Sequence, residues 1–466
     1  MRLVGRARIV FAILAAALVC AGGASAASGW TQITIDASDA TPLACAYIVP
    51  SGTAPAGGWP GVILFHGLGQ SHADMEPYGS ALAQFGFAAL ACDARGTGDS
   101  GGKFGLDGPR DVQDAQDLFS WFAGRSDVSD TEIGALGLSL GGGEVLNAAV
   151  AGVPFKAIVP AVAWTDLVRA LAPANAPKDG LVLQLAQLYP GQWDTALAQA
   201  RDDLLGGTVT QAVRAASAAR SSRPKLQSLH VPTLILQGRH DFLFDLDQAL
   251  AAYRLLAGPK RLYLGDLGHP PATNPAAEEP TYLSQVLGWF EQYLAGGPKL
   301  GGGVELAHDP WDGTTTSYKS IPRTRQVTVN LPGTKKVFLG GSARRSVRLP
   351  GGPLETFGDG SLRVRYSGNA GQWTEIRAMV SVKGRSAPVT VGAAPLTKAS
   401  GLLRIPLLDE SVLIPRGRQL VVTVGATSAD GVYSPIVGRG PPGTPPALTI
   451  RGITLKLSLL RRAVSK

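Results

Sequence analysis

The chain has 466 residues, 45% of them hydrophobic, which excludes a disordered chain and suits two or three packed domains better than one. The formal charge of +8 is unevenly spread, with 16 basic and 26 acidic side chains in residues 27–298 but 24 and 9 in residues 299–466. Such asymmetry fits a basic half docked on an acidic half, contact with an anionic polymer or cell surface, or no more than a soluble basic surface.

Residues 1–26 read as a signal peptide. Arg2, Arg6 and Arg8 precede an apolar run over residues 9–19, too short to span a bilayer, and Ala24-Ser25-Ala26 is a small-residue cleavage site. Cys20 follows Val19, where a lipoprotein signal requires a small residue. No later segment is long and apolar enough to cross a membrane. The expectation is an exported protein, extracellular or periplasmic, with no integral membrane association. Signal removal leaves Cys45 and Cys92. An oxidising compartment permits a disulfide between them. It would close a loop of about 48 residues, worth about 4 kcal/mol. Two buried thiols are the alternative.

From residue 27 to 298 strands alternate with helices. Residues 31–35 and 43–49 suggest an opening hairpin. Short apolar runs at 61–65, 87–92, 133–138, 155–160, 233–237 and 262–264 read as buried strands. Helical patterns cover 75–85, 109–122, a stretch from Leu140, and 282–294. This alternation predicts right-handed βαβ units on a mainly parallel sheet. Residues 164–229 break the rhythm with an Ala/Leu/Gln-rich stretch, read as a helical cap over the strand ends, where open α/β sheets bind ligands. Residues 299–319 read as a glycine-rich linker. From 320 to 460 the pattern turns to period two, with Gly and Pro between short runs, which predicts a jelly-roll-like β-sandwich.

Gly137-Leu138-Ser139-Leu140-Gly141 matches G-x-S-x-G between a predicted strand and helix, the context that a nucleophile elbow requires. A serine needs a base, and the base an orienting acid, in chain order Ser, Asp, His for this fold. Asp241 follows the 233–237 strand and His269 follows the 262–264 strand, on the sheet edge that carries Ser139. Asp245 and Asp247 are alternative acids and His240 a rival base. The oxyanion hole needs N–H donors aimed at the developing charge. Leu140, after the nucleophile, supplies one, and Leu68 in His66-Gly67-Leu68-Gly69 the other. His66 is read as holding that loop.

Gly98-Asp99-Ser100-Gly101-Gly102 spells the nucleophile signature of trypsin-like proteases, but the α/β alternation contradicts their double β-barrel. Gly96, Gly98 and Gly101 formally satisfy G-x-G-x-x-G, with no helix opening at once. The stretch is read as a tight loop beside the active-site mouth. No P-loop, zinc-spaced Cys/His set or nucleic-acid motif is present, and no metal or cofactor is implied.

The segment Cys92-Asp93-Ala94-Arg95-Gly96-Thr97-Gly98-Asp99-Ser100-Gly101-Gly102 resembles the D-x-R-G-x-G-x-S-x-G loop of the X-prolyl dipeptidyl-peptidase and cocaine-esterase-like hydrolases. Gln237-Gly238-Arg239-His240-Asp241-Phe242-Leu243-Phe244 resembles that family's acid loop, and Trp164-Thr165-Asp166-Leu167 the start of its cap. The resemblance implies an α/β-hydrolase fold with a C-terminal jelly roll. It also implies acyl transfer to water through an ester on Ser139, with Asp241 and His269 in their usual roles and a small-molecule ester or peptide as substrate. Relatives often place a tyrosine where Leu68 stands, so here the oxyanion hole would rely on backbone donors. Three activities remain open: an esterase, an X-Pro dipeptidyl-peptidase, and a surface- or polymer-binding protein with a vestigial hydrolase domain.

Overall fold

The computed structural model describes residues 29–338, 340–368, 373–426, 431–434 and 447–461. The segment read as a signal peptide, with Cys20, lies outside the described residues. Among the described residues no helix is long and apolar enough to cross a membrane.

The first half is one ten-stranded sheet flanked by helices. β1 (Thr31–Asp36) and β2 (Pro42–Ile48) form an antiparallel hairpin. There follow β3 (Trp59–Phe65), α1 (His72–Gln84), β4 (Ala88–Cys92), α2 (Pro109–Ala123), β5 (Val128–Leu138), α3 (Leu140–Ala151) and β6 (Ile158–Ala161). After the cap come β7 (Thr233–Gly238), α8 (Leu246–Leu255), β8 (Lys260–Gly265) and α9 (Glu279–Leu294). The strand order is β1-β2-β4-β3-β5-β6-β7-β8, then β9 (Gly303–Ala307) and β10 (Thr315–Tyr318). Strands β4 and β7 are buried at every residue, because helices cover both faces of a parallel sheet and leave no solvent side to alternate toward.

The cap lies between β6 and β7 and comprises α4 (Leu167–Leu171), α5 (Asp179–Leu188), α6 (Thr195–Leu205) and α7 (Gln211–Ala218). Three of these helices start on side-chain caps: Asp166 accepts the Arg169 N–H, Asp194 those of Ala196 and Leu197, and Thr210 that of Val213.

One sequence expectation is corrected here. Residues 299–319 are more than a linker, since β9 pairs parallel to β8 and β10 antiparallel to β9. The glycines at 301–303 mask a strand, Val-Glu-Leu-Ala, that is buried throughout. It covers the β8 edge, whose unpaired backbone groups would otherwise be open to pairing.

The strands between Thr324 and Leu460 form the β-sandwich. Its strands are β11 (Thr324–Phe338), β12 (Ser342–Arg348), β13 (Leu354–Gly368), β14 (Glu375–Val382), β15 (Thr390–Pro395), β16 (Ser400–Leu407), β17 (Leu413–Ile414), β18 (Gln419–Gly425) and β19 (Ala447–Leu460). One sheet runs β11-β19-β13-β16 with β17 on β13, the other β12-β18-β14-β15. Leu362, Val364 and Tyr366 of β13 point inward to a core shared with Val380, Val422 and Val424, while Arg363 and Arg365 alternate outward and are exposed.

Strand order settles the cysteine question. β2 pairs antiparallel with β4, Cys45 stands opposite Cys92, and the two form a disulfide. Cys45→Ala with Cys92→Ala should lower the unfolding free energy by about 2–4 kcal/mol, read as a lower denaturant midpoint.

Candidate active site

β5 ends at Leu138 and α3 begins at Leu140, so Ser139 alone turns the chain. It does so at φ 54°, ψ −107°, a strained conformation for a residue with a Cβ. The flanking glycines are steric necessities. A Cβ on Gly137 would lie 2.0 Å from the Gly141 carbonyl oxygen, and one on Gly141 would lie 2.1 Å from that of Phe65. The Ser139 N–H donates to the Ala161 carbonyl at 2.9 Å and the Gly141 N–H to that of His66 at 3.0 Å. The elbow is thereby tied to both neighbouring strands.

Asp241 and His269 occupy the loops after β7 and β8, and the structure brings both to Ser139. His269 Nε2 lies 2.8 Å from Ser139 Oγ, and His269 Nδ1 lies 2.8 Å from Asp241 Oδ2. Asp241 is fully buried. Its Oδ1 accepts the N–H groups of Leu243 and Phe244, each at 2.9 Å, and Oδ2 also accepts the His269 N–H at 3.0 Å. A carboxylate so held by hydrogen bonds fixes which imidazole nitrogen faces the serine. The Phe244 ring meets the imidazole edge-on, with centroids 5.0 Å apart.

The rival residues go elsewhere. Asp245 accepts the Asp409 N–H at 3.0 Å. Asp247 pairs with Arg169 and Arg223 at 2.6 and 2.9 Å. His240 turns to the β-sandwich, where its Nε2–H donates to the Pro388 carbonyl at 2.9 Å, and burial pushes its pKa down to about 4.

The N–H groups of Leu68 and Leu140 have no acceptor among the described residues. The loop that carries Leu68 is held from below. His66 is buried and accepts the Ala94 N–H at Nε2, 2.9 Å away, so its proton sits on Nδ1 and donates to the Gly67 carbonyl at 2.8 Å. Burial lowers its pKa and keeps the ring neutral. Ala94 belongs to the D-x-R-G stretch, whose side chains bond within the loop and to its neighbours. Asp93 accepts the N–H groups of His72 and Asp99 at 2.6 and 2.8 Å. Arg95 pairs bidentately with Asp114 at 2.7 and 2.6 Å. Gly98 is there because a Cβ would fall 2.0 Å from Asp93 Oδ2.

A sequence profile of the X-Pro dipeptidyl-peptidase family (S15 family) matches residues 30–271, more than half of the chain. The chain belongs to the S15 family. Two uncharacterized 31.7 kDa proteins of the traX-finO intergenic region of Escherichia coli are 32% and 31% identical over 126 residues, 27% of this chain and 43% of theirs. The chain thus spans less than half the length of these curated relatives. Among solved structures, a CocE/NonD family hydrolase from Staphylococcus aureus superposes with TM-score 0.71 at 13% identity, covering 93% of this chain and 97% of that one. An alpha-amino acid ester hydrolase gives 0.71 at 13%, covering 96% and 98%. An aminopeptidase from a marine sediment Thaumarchaeota archaeon gives 0.65 at 13%, covering 93% and 97%. These likenesses extend the shared fold over the β-sandwich, beyond the S15 match.

In this S15 chain the β-sandwich reaches the acid loop, which sequence reasoning missed. Ser411 N–H donates to the Arg239 carbonyl at 2.7 Å and Leu246 N–H to that of Asp409 at 2.9 Å. Glu410 Oε2 accepts the Asp241 N–H at 3.1 Å. Arg239 returns the contact to the Ser411 carbonyl at 2.9 Å and pairs with Glu355. From the cap, the buried Lys178 donates to the carbonyls of Phe242 and Leu243 at 2.8 and 3.0 Å. Apolar side chains from all three parts meet there: Leu140 and Phe244 of the core, Trp164 and Leu171 of the cap, Val391 and Tyr433 of the sandwich.

A cavity lined by His66, Asp107, Asp111 and Glu144 together with apolar side chains such as Leu118 and Leu140 includes neither Ser139 nor His269 in its lining. Burial, then the neighbouring carboxylates, holds Asp107 and Glu144 well above the usual range. Burial and the charge of Asp114 push Asp111 up to about 7. The folded chain therefore retains protons that the unfolded chain releases above about pH 4. The sign follows: this cluster favours folding at low pH, and the contribution is lost as pH rises through about 7. Asp111→Asn keeps the acceptor that caps α2 at the Gly108 N–H. It should flatten the fall in denaturant midpoint between pH 5 and pH 8, and an unchanged fall would place the effect in other groups.

Proposed function

We propose that the protein is a serine hydrolase that cleaves carboxylic esters through an acyl-enzyme on Ser139. The observation that carries this reading is the unbroken relay from Ser139 Oγ through His269 to Asp241, with both links at 2.8 Å. Ser139 Oγ attacks the ester carbonyl carbon while His269 Nε2 takes its proton. The N–H groups of Leu68 and Leu140 receive the oxyanion. The intermediate collapses, the C–O bond to the alcohol breaks, and His269 returns the proton to the leaving oxygen. Water, deprotonated by the same imidazole, then attacks the acyl-enzyme, and collapse releases the acid and restores Ser139.

Membership of the S15 family supports a second reading, release of X-Pro dipeptides. Leu68, standing where relatives often carry a tyrosine, leaves the oxyanion hole to backbone donors, which favours the ester. A vestigial hydrolase that only binds an anionic surface is disfavoured, because binding does not require a connected triad. The Cys45–Cys92 disulfide supports export to an oxidising compartment.

Fluorophosphonate should label the purified protein at Ser139, read by peptide mapping. Ser139→Ala and His269→Ala should each lower turnover of a short acyl ester by more than about 10³-fold with the fold retained. Near-normal activity in Ser139→Ala would overturn the assignment. An esterase should be indifferent to a blocked substrate amino terminus. Hydrolysis of an X-Pro amide that stops when the amino terminus is blocked would move the assignment to the peptidase.

A further inference from the structure

We propose that Glu410, supplied by the β-sandwich, is a positioning residue for the Ser139–His269–Asp241 relay. The proposal rests on the triad reading above and assigns the sandwich a direct part in it.

The loop between β7 and α8 must hold the Asp241 carboxylate within a few tenths of an ångström of its place against His269. The hydrolase sheet and its loops bind this loop at its flanks: Arg239 N–H donates to the Gly265 carbonyl at 2.7 Å, Phe242 N–H to that of Pro270 at 3.3 Å, and Gln237 Nε2 to that of Phe244 at 2.6 Å. The backbone N–H of Asp241 itself finds its acceptor in Glu410 Oε2, across 169 residues of sequence. Both residues are sealed from solvent, Asp241 at 0% and Glu410 at 1% exposure, so bulk water does not compete for either group. Without Glu410 the Asp241 N–H would be a buried donor without a partner, a state that proteins avoid by shifting the backbone.

Glu410 is an improbable residue for simple packing. Its second oxygen, Oε1, has no hydrogen-bond partner among the described residues. A buried carboxyl with one idle oxygen is unfavourable unless its other oxygen has a task. The adjoining residues tell the same story. Asp409 and Ser411 pair their backbones with Leu246 and Arg239, so Asp409-Glu410-Ser411 lies along the acid loop, with Glu410 at its centre opposite Asp241. The titratable groups whose charges act on Glu410 are Asp241, Asp245 and Lys178. Lys178 clamps the next two carbonyls of the loop from the cap side.

The test uses the full chain and three substitutions, Glu410→Ala, Glu410→Asp and Glu410→Gln. Each is read by kcat and KM on a short acyl ester, by the rate of fluorophosphonate labelling at Ser139, and by thermal melting. Glu410→Ala and the shorter Glu410→Asp should lower kcat by roughly 10- to 100-fold. KM should stay within about twofold, and labelling should slow in parallel. Glu410→Gln keeps a side-chain oxygen at the same reach and should recover most of both rates. Undiminished kcat and labelling in folded Glu410→Ala would overturn the proposal, as would Glu410→Gln no faster than Glu410→Ala. If Glu410→Ala does not fold, the comparison of Gln with Asp decides, and equal rates overturn it. Wild-type protein that is not labelled at Ser139 would instead defeat the triad reading itself.

Discussion

The Asp241 carboxylate is the point on which the rest of the site turns. It accepts three backbone N–H groups and one imidazole N–H while fully buried. A polar group in such a place is tolerable only because every donor is already aimed at it. Its position sets the tautomer and direction of His269, and His269 sets whether Ser139 has a base. What keeps the carboxylate still is distributed over the molecule: β7 and β8 fix the loop stems, Lys178 of the cap fixes the carbonyls after it, and residues 409–411 run along its outer side.

A similar division governs the oxyanion side. The nucleophile turn is strained and glycine-lined, and it stays in place because Ser139 and Gly141 bond to Ala161 and His66. His66 in turn takes its orientation from Ala94, which sits in a loop locked by Asp93 and by the Arg95–Asp114 pair. The residues that make this family recognisable in sequence are thus largely the ones that brace the loops, and the reacting groups stand on top of them. That explains why Gly98-Asp99-Ser100-Gly101 can spell a protease signature with no nucleophile in it: Ser100 Oγ donates to the Asp93 carbonyl at 2.8 Å.

What was legible in the sequence was whatever is encoded within a few residues. The elbow is a five-residue motif with strand and helix on either side, and Asp241 and His269 follow buried strands in the chain order that the fold demands. The sandwich announced itself through period-two alternation. The β9 strand is hidden in the sequence because it opens on the last of three glycines that look like a linker, although all its residues are buried. The disulfide stayed undecided because the meeting of Cys45 and Cys92 depends on β2 lying beside β4. Glu410 and Lys178 carry no local signal at all. A glutamate in Leu-Leu-Asp-Glu-Ser reads as surface until the tertiary fold places it behind Asp241.

The separation of 169 residues between Asp241 and Glu410 also has a meaning in time. A chain emerging from synthesis or from a translocation pore offers its nucleophile, acid and base well before residues 409–411 appear. Until that segment arrives and the sandwich closes over Val380 and Val422, the acid loop lacks the partner of its central N–H. The bracing of the acid loop is therefore complete only once residues 409–411 are in place, so the two halves of the chain finish the site together although they are made in sequence.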